Sequence, residues 1–124
     1  MRQFKSLINN KPVDLVEYVK QYVEQRPSTE LLIGCDSQNR KRETIYAVVV
    51  GLYTPKKGAH VLYSKFATTK ERENVTRLLN EVWFSVEVAE ELKTKLNIIP
   101  TWIDIDLNPD PKRSEEHRLN SSHT

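Results

Sequence analysis

The chain has 124 residues with 38% hydrophobic and 29% charged side chains, enough for one packed core and too little for two. Its net charge of +2 excludes a strongly basic molecule that binds nucleic acid by its overall field, so any such role needs a local patch. One cysteine, Cys35, excludes an internal disulfide and a cysteine-built zinc site.

That cysteine usage fits a reducing compartment, and the expected location is the cytoplasm. The N-terminus lacks the apolar region of a secretory signal, and the longest apolar run, Ala47 to Tyr53, is far short of the ~20 residues that cross a bilayer.

The first periodic segment is VDLVEYVKQYVEQ at 13–25. Val13, Val16, Val19, Tyr22 and Val23 recur at three- and four-residue spacing, and Pro12 and Pro27 bracket an expected helix. ELLIGCDSQ at 30–38 is a short apolar run closed by polar residues, and reads as a strand buried on both faces. A charged loop, NRKRE, separates it from TIYAVVVGLY, rich in β-branched and aromatic residues. After a turn at TPKKG, AHVLYSKF alternates as a third strand, and such short connections predict an antiparallel meander.

From about Lys70 to Leu96 the pattern becomes helical. Val75, Leu78, Leu79, Val82, Val86, Ala89 and Lys93 form one stripe, with Trp83 and Phe84 off it and expected to meet another element such as the N-terminal helix. IIPTWIDIDLN then reads as a fourth strand. A strand–helix–strand crossover makes it parallel to an earlier strand, and the right-handed rule places it beside the first.

Ligands of such sheets bind beyond the carboxyl ends of parallel strands. Asp36, at the expected exit of the first strand, and Asp106, near the exit of the fourth, would then be neighbours. Asp104 and Asp106 share one strand face ~6.6 Å apart, and acids there are costly unless paired or metal-bound. Glu81 lies at the margin of the helical stripe and is a third candidate, whereas Glu87 and Glu91 project to solvent. Oxygen ligands of this kind suit Mg2+ or Mn2+, which would serve phosphodiester hydrolysis. Asp36 also suits an Asx turn after a strand, and Glu81 taken alone suits a surface position.

Other features read more plainly. Arg40, Lys41, Arg42, Lys56 and Lys57 could reach phosphates, but charged hairpin tips usually serve solubility. No histidine motif, catalytic triad or glycine-rich phosphate loop is supported. Cys35 points away from Asp36 and reads as a small buried hydrophobe.

At IGCDSQ, YAVVVGLY, RLLNEVWFSVEVAEEL and WIDIDLNPDPK the sequence resembles the ribonuclease H-like YkuK family of bacterial proteins. The resemblance implies an α/β fold with a mixed sheet: three antiparallel strands, a crossover helix and a fourth strand parallel to the first, here with an N-terminal helix. It also implies metal-binding roles for Asp36, Glu81 and Asp106, with Asp104 a possible neighbour, and a nuclease acting on RNA or an RNA/DNA hybrid. The alternative is a non-catalytic nucleic-acid- or protein-binding domain that keeps the fold. Members of that fold continue through a fifth strand and terminal helices with one more metal ligand, for which Asp110 is a poor substitute. The expected domain, partial at its C-terminus, is therefore 1–112. RSEEHRLNSSHT at 113–124 resembles translated sequencing-adapter read-through and is expected to be a non-native or disordered tail.

Overall fold

A computed structural model of the protein describes residues 3–104. In chain order these form β1 (Phe4–Ser6), β2 (Pro12–Val13), α1 (Leu15–Gln25), β3 (Glu30–Arg40), β4 (Glu43–Thr54), β5 (Gly58–Thr69), α2 (Asn74–Leu96) and β6 (Trp102–Asp104). One six-stranded sheet has the order β2-β1-β5-β4-β3-β6.

The meander expected from the sequence is β3, β4 and β5, paired antiparallel throughout, and β6 returns parallel to β3 after the α2 crossover. The sequence reading gave no element to residues 4–11 and placed Pro12 and Val13 at the start of the first helix. Residues 4–13 form a small hairpin whose β1 strand adds antiparallel to β5 and buries Phe4 and Ser6. Val13 and Pro12 belong to this hairpin, so α1 starts two residues later than its periodicity predicts. Asp14 is the cap, its carboxylate accepting the Glu17 N–H at 3.0 Å.

The expectation of a strand buried on both faces is overturned. On β3 only Leu31, Ile33 and Ser37 are buried, while Leu32 and Gly34 are half-buried and Asp36 is exposed. The reason is layering: the core gathers on one face, where Val48, Val50, Leu52, Leu62, Val19 and Leu92 are fully shielded. A long antiparallel sheet can leave its other face to solvent, which a run of apolar residues does not reveal.

The long helix also turns differently from its predicted stripe. Leu78, Glu81, Ser85, Val88, Ala89 and Leu92 are buried, whereas Val75 and Leu79 of the stripe are 52% and 54% exposed, and Trp83, expected off the stripe against another element, is 62% exposed. Phe84 does pack inward, meeting Tyr46 and Phe66 edge-on at 5.0 Å between ring centroids. Small polar Ser85 lets α2 approach the sheet closely, its hydroxyl bonding back to the Glu81 carbonyl. Asn97, in the left-handed conformation, ends the helix. No helix among the described residues is long and apolar enough to cross a membrane.

Candidate metal centre

Asp36 is not at a strand exit. β3 continues to Arg40 and Asp36 pairs with Ala47 within the ladder, so the Asx-turn alternative falls as well. Strand alternation places Leu32, Gly34, Asp36, Gln38 and Arg40 on the face away from the helices, and Leu31, Ile33, Cys35 and Ser37 on the helix face. Cys35 packs against the core as expected.

The parallel pairing of β6 with β3 is Leu32 with Trp102, Ile33 with Ile103 and Gly34 with Asp104. Paired residues share a face, so Asp104 stands on the open face beside Gly34 and one step diagonal to Asp36. From the spacings of adjacent strands and of alternate residues, their Cα atoms are ~8 Å apart. Gly34 matters here because a Cβ at that position would lie 3.5 Å from the Asp104 Cβ. The missing side chain leaves room between the two acids.

Glu81 reaches the same neighbourhood from the other layer. It is 6% exposed and accepts a hydrogen bond from Ser37, the residue after Asp36. A concavity of ≈ 520 Å³ borders Asp36, Asp104 and Glu81, with Gly34 and Gly51 on its floor. Asp106 lies outside the described residues. Among the described residues no group of three or more His, Cys, Asp or Glu side chains is close enough to hold a metal ion. Two carboxylates on one face with a glycine gap nonetheless fit the oxygen chemistry of a hard divalent ion, and Glu81 borders the same space. Glu87 is exposed and Glu91 pairs with Lys95 at 3.3 Å on the helix surface, in keeping with their sequence reading.

The two basic hairpin tips do not converge. Lys41 and Arg42 close the β3–β4 turn, while Lys56 and Lys57 lie in the β4–β5 turn at the opposite end of twelve-residue β4. A polar network ties the first of these ends to the loop that leads into α2. The Thr44 hydroxyl donates to Asn39 at 2.5 Å and accepts the Glu71 N–H at 2.8 Å, and Asn39 donates to the Glu71 carbonyl.

Sequence reading missed the contacts of His60. Its Nδ1 is 2.6 Å from the Tyr18 hydroxyl and its ring packs on Tyr22, which also stacks with Tyr18 and carries the Arg26 guanidinium over its ring. Burial raises the Tyr18 hydroxyl pKa, Tyr22 adds to that shift and Arg26 opposes it. The i, i+4, i+8 spacing of Tyr18, Tyr22 and Arg26 was legible, but the pairing of α1 with β5 was not.

A family model described as Ribonuclease H-like matches residues 14–116. The chain belongs to this family. The YkuK resemblance read from the sequence falls within it, and the mixed sheet with its parallel β6 is the architecture that resemblance implied. The match begins at Asp14, so the β1–β2 hairpin precedes the ribonuclease H-like portion. No curated protein and no solved structure matches the chain.

Proposed function

We propose that this ribonuclease H-like domain is a metal-dependent nuclease that hydrolyses phosphodiester bonds in RNA or an RNA-containing duplex. The observation that carries the reading is the pair Asp36 and Asp104, set on one exposed face of adjacent parallel strands with Gly34 between them. Asp36 and Asp104 would hold Mg2+ or Mn2+, Glu81 would approach from α2, and Asp106, which the family resemblance assigns a metal-binding role, would complete the set. When bound, such an ion supplies charge neutralisation at the phosphoryl group and an acidified water. The chain's own part is to fix the acids on rigid strands and to hold Glu81 through Ser37.

Incubating the protein with end-labelled RNA and RNA/DNA hybrid in Mg2+ or Mn2+ tests this. Cleavage that EDTA and Asp36→Asn both abolish is expected; intact substrates with both ions would refute it. The second reading, a binding domain without catalysis, is favoured by the apolar lining that Val49, Tyr53, Val61 and Trp102 give the concavity beside Asp36 and Asp104. Retained nucleic-acid binding with intact substrates would support that reading.

A further inference from the structure

Four connections meet at one end of the sheet: the β1–β2 loop at 7–11, the α1–β3 loop at 26–29, the β4–β5 turn at 55–57 and the α2–β6 loop at 97–101. The pairings put them there. β1 passes Leu62 of β5 and Leu7 donates its N–H to the Val61 carbonyl as the loop begins, β3 opens with Glu30 opposite Tyr53, and Thr101 donates its N–H to the Leu31 carbonyl just before β6. β6 runs parallel to β3 and so points away from this end.

The β1–β2 loop inverts the usual polarity of a turn, in which polar side chains face water. Its polar residues bond within the fold. Asn10 accepts from the Tyr63 hydroxyl and sends its N–H to the Ser6 carbonyl at 2.8 Å, while the Asn9 carboxamide accepts the Lys11 N–H at 3.0 Å. Leu7 and Ile8 are left outward, 62% and 71% exposed. On the other flank of the same end Ile99 is 71% exposed. β1 and β6 are four strand spacings apart in the sheet, so the two apolar points stand ~19 Å apart.

The four connections carry Lys11, Arg26, Lys56 and Lys57 and no aspartate or glutamate. Among the described residues none of these cations forms an ion pair. Of the acids that border the end, Glu91 pairs with Lys95, and Glu24 and Glu30 are set back on α1 and β3. The connections at the opposite end are mixed, combining Lys41, Arg42, Lys70 and Arg72 with Asp14, Glu71 and Glu73. Phosphates of a nucleic acid would satisfy the four cations but leave Leu7, Ile8 and Ile99 in water. An anionic bilayer takes both, apolar tips below its headgroups and basic side chains among them, and needs no pre-shaped pocket at either apolar point.

We infer that this end of the sheet docks the protein on an anionic bilayer, with Leu7, Ile8 and Ile99 inserted and Lys11, Arg26, Lys56 and Lys57 at the headgroups. Docking of this kind needs neither metal nor catalysis, and Asp36, six residues beyond Glu30 on β3, stays ~20 Å from the membrane plane.

The test is co-flotation of the 124-residue chain with vesicles of phosphatidylcholine and with vesicles of an equimolar phosphatidylcholine–phosphatidylserine mixture. Binding is expected to the mixture, weakening as salt rises. Ile8→Ser and Ile99→Ser should each weaken it about 10-fold, and Lys56→Gln and Lys57→Gln about 5-fold each. Lys41→Gln and Arg42→Gln, at the opposite end, should leave it unchanged. All six residues are exposed, and circular dichroism would confirm that each variant is folded. No flotation with the mixture, flotation that neither isoleucine substitution weakens, or equal losses from the Lys41 and Lys56 substitutions would each overturn the docking surface. RNA binding that Lys56→Gln and Lys57→Gln abolish, with no flotation, would overturn it too and assign these cations to nucleic acid.

Discussion

Ser37 on β3 donates a hydrogen bond to the Glu81 carboxylate of α2, both side chains being buried at the sheet–helix interface directly behind Asp36. A buried carboxylate that loses a donor keeps its desolvation cost, so Ser37→Ala should destabilise the fold by about 1–3 kcal/mol. Urea denaturation would measure this. Glu81→Leu, which removes the charge along with the bond, should be less harmful in the Ser37→Ala background than in the wild type; additive losses would show that the two residues do not act together.

Tyr46 gives the fold an alkaline limit. Burial raises its hydroxyl pKa, the hydrogen bond donated by Asn80 pulls the other way, and Glu71, Glu81 and Cys35 add to the rise. Since the folded chain holds this proton more tightly than the unfolded one, the stabilisation is fully present below pH ~10 and is lost as pH rises through the higher folded value. Tyr46→Phe should therefore flatten the decline of urea midpoints above pH ~10, while losing about 1 kcal/mol at neutral pH with the Asn80 bond. Parallel pH profiles for the two proteins would contradict this.

The turn of α2 can be checked by paired truncations. Leu92 is wholly buried, so Leu92→Ala should cost about 2–5 kcal/mol. Leu79 is 54% exposed, and Leu79→Ala should stay within about 0.5 kcal/mol. A larger loss at Leu79 than at Leu92 would mean that the predicted stripe, and not the observed one, faces the core.

Gly34 separates two kinds of space. A Cβ at this position meets the Asp104 Cβ at ordinary contact distance, so Gly34→Ala should fold normally. Gly34→Leu would fill the gap between Asp36 and Asp104. A folded Gly34→Leu protein with unchanged Mn2+ affinity would show that the gap is not where an ion sits.

Much of this fold was legible because its strands are long and its connections short. The meander, the crossover helix and the parallel fourth strand follow from periodicity, turn residues and handedness. The β1–β2 hairpin was not legible, since three- and two-residue strands carry too little pattern to be seen without β5 beside them. Helix α2 misled because its apolar residues occupy a wider arc than its contact surface, and Glu81 and Ser85 are buried polar residues that a hydrophobic stripe omits. At the candidate centre, Asp36 and Asp104 do share a face, but the reading of Asp36 as a strand terminus failed because Gln38, Asn39 and Arg40 extend β3 despite their polarity. Strand pairing supplied what side-chain character did not.

The central claim is that Asp36 and Asp104 together hold a divalent cation. Isothermal calorimetry of Mn2+ and Mg2+ binding to the wild type, Asp36→Asn and Asp104→Asn tests it most directly, with circular dichroism confirming that each variant is folded. The account predicts saturable binding to the wild type that either substitution weakens at least about 10-fold, through loss of a carboxylate ligand. Equal affinities in all three folded proteins, or no binding to any, would contradict it.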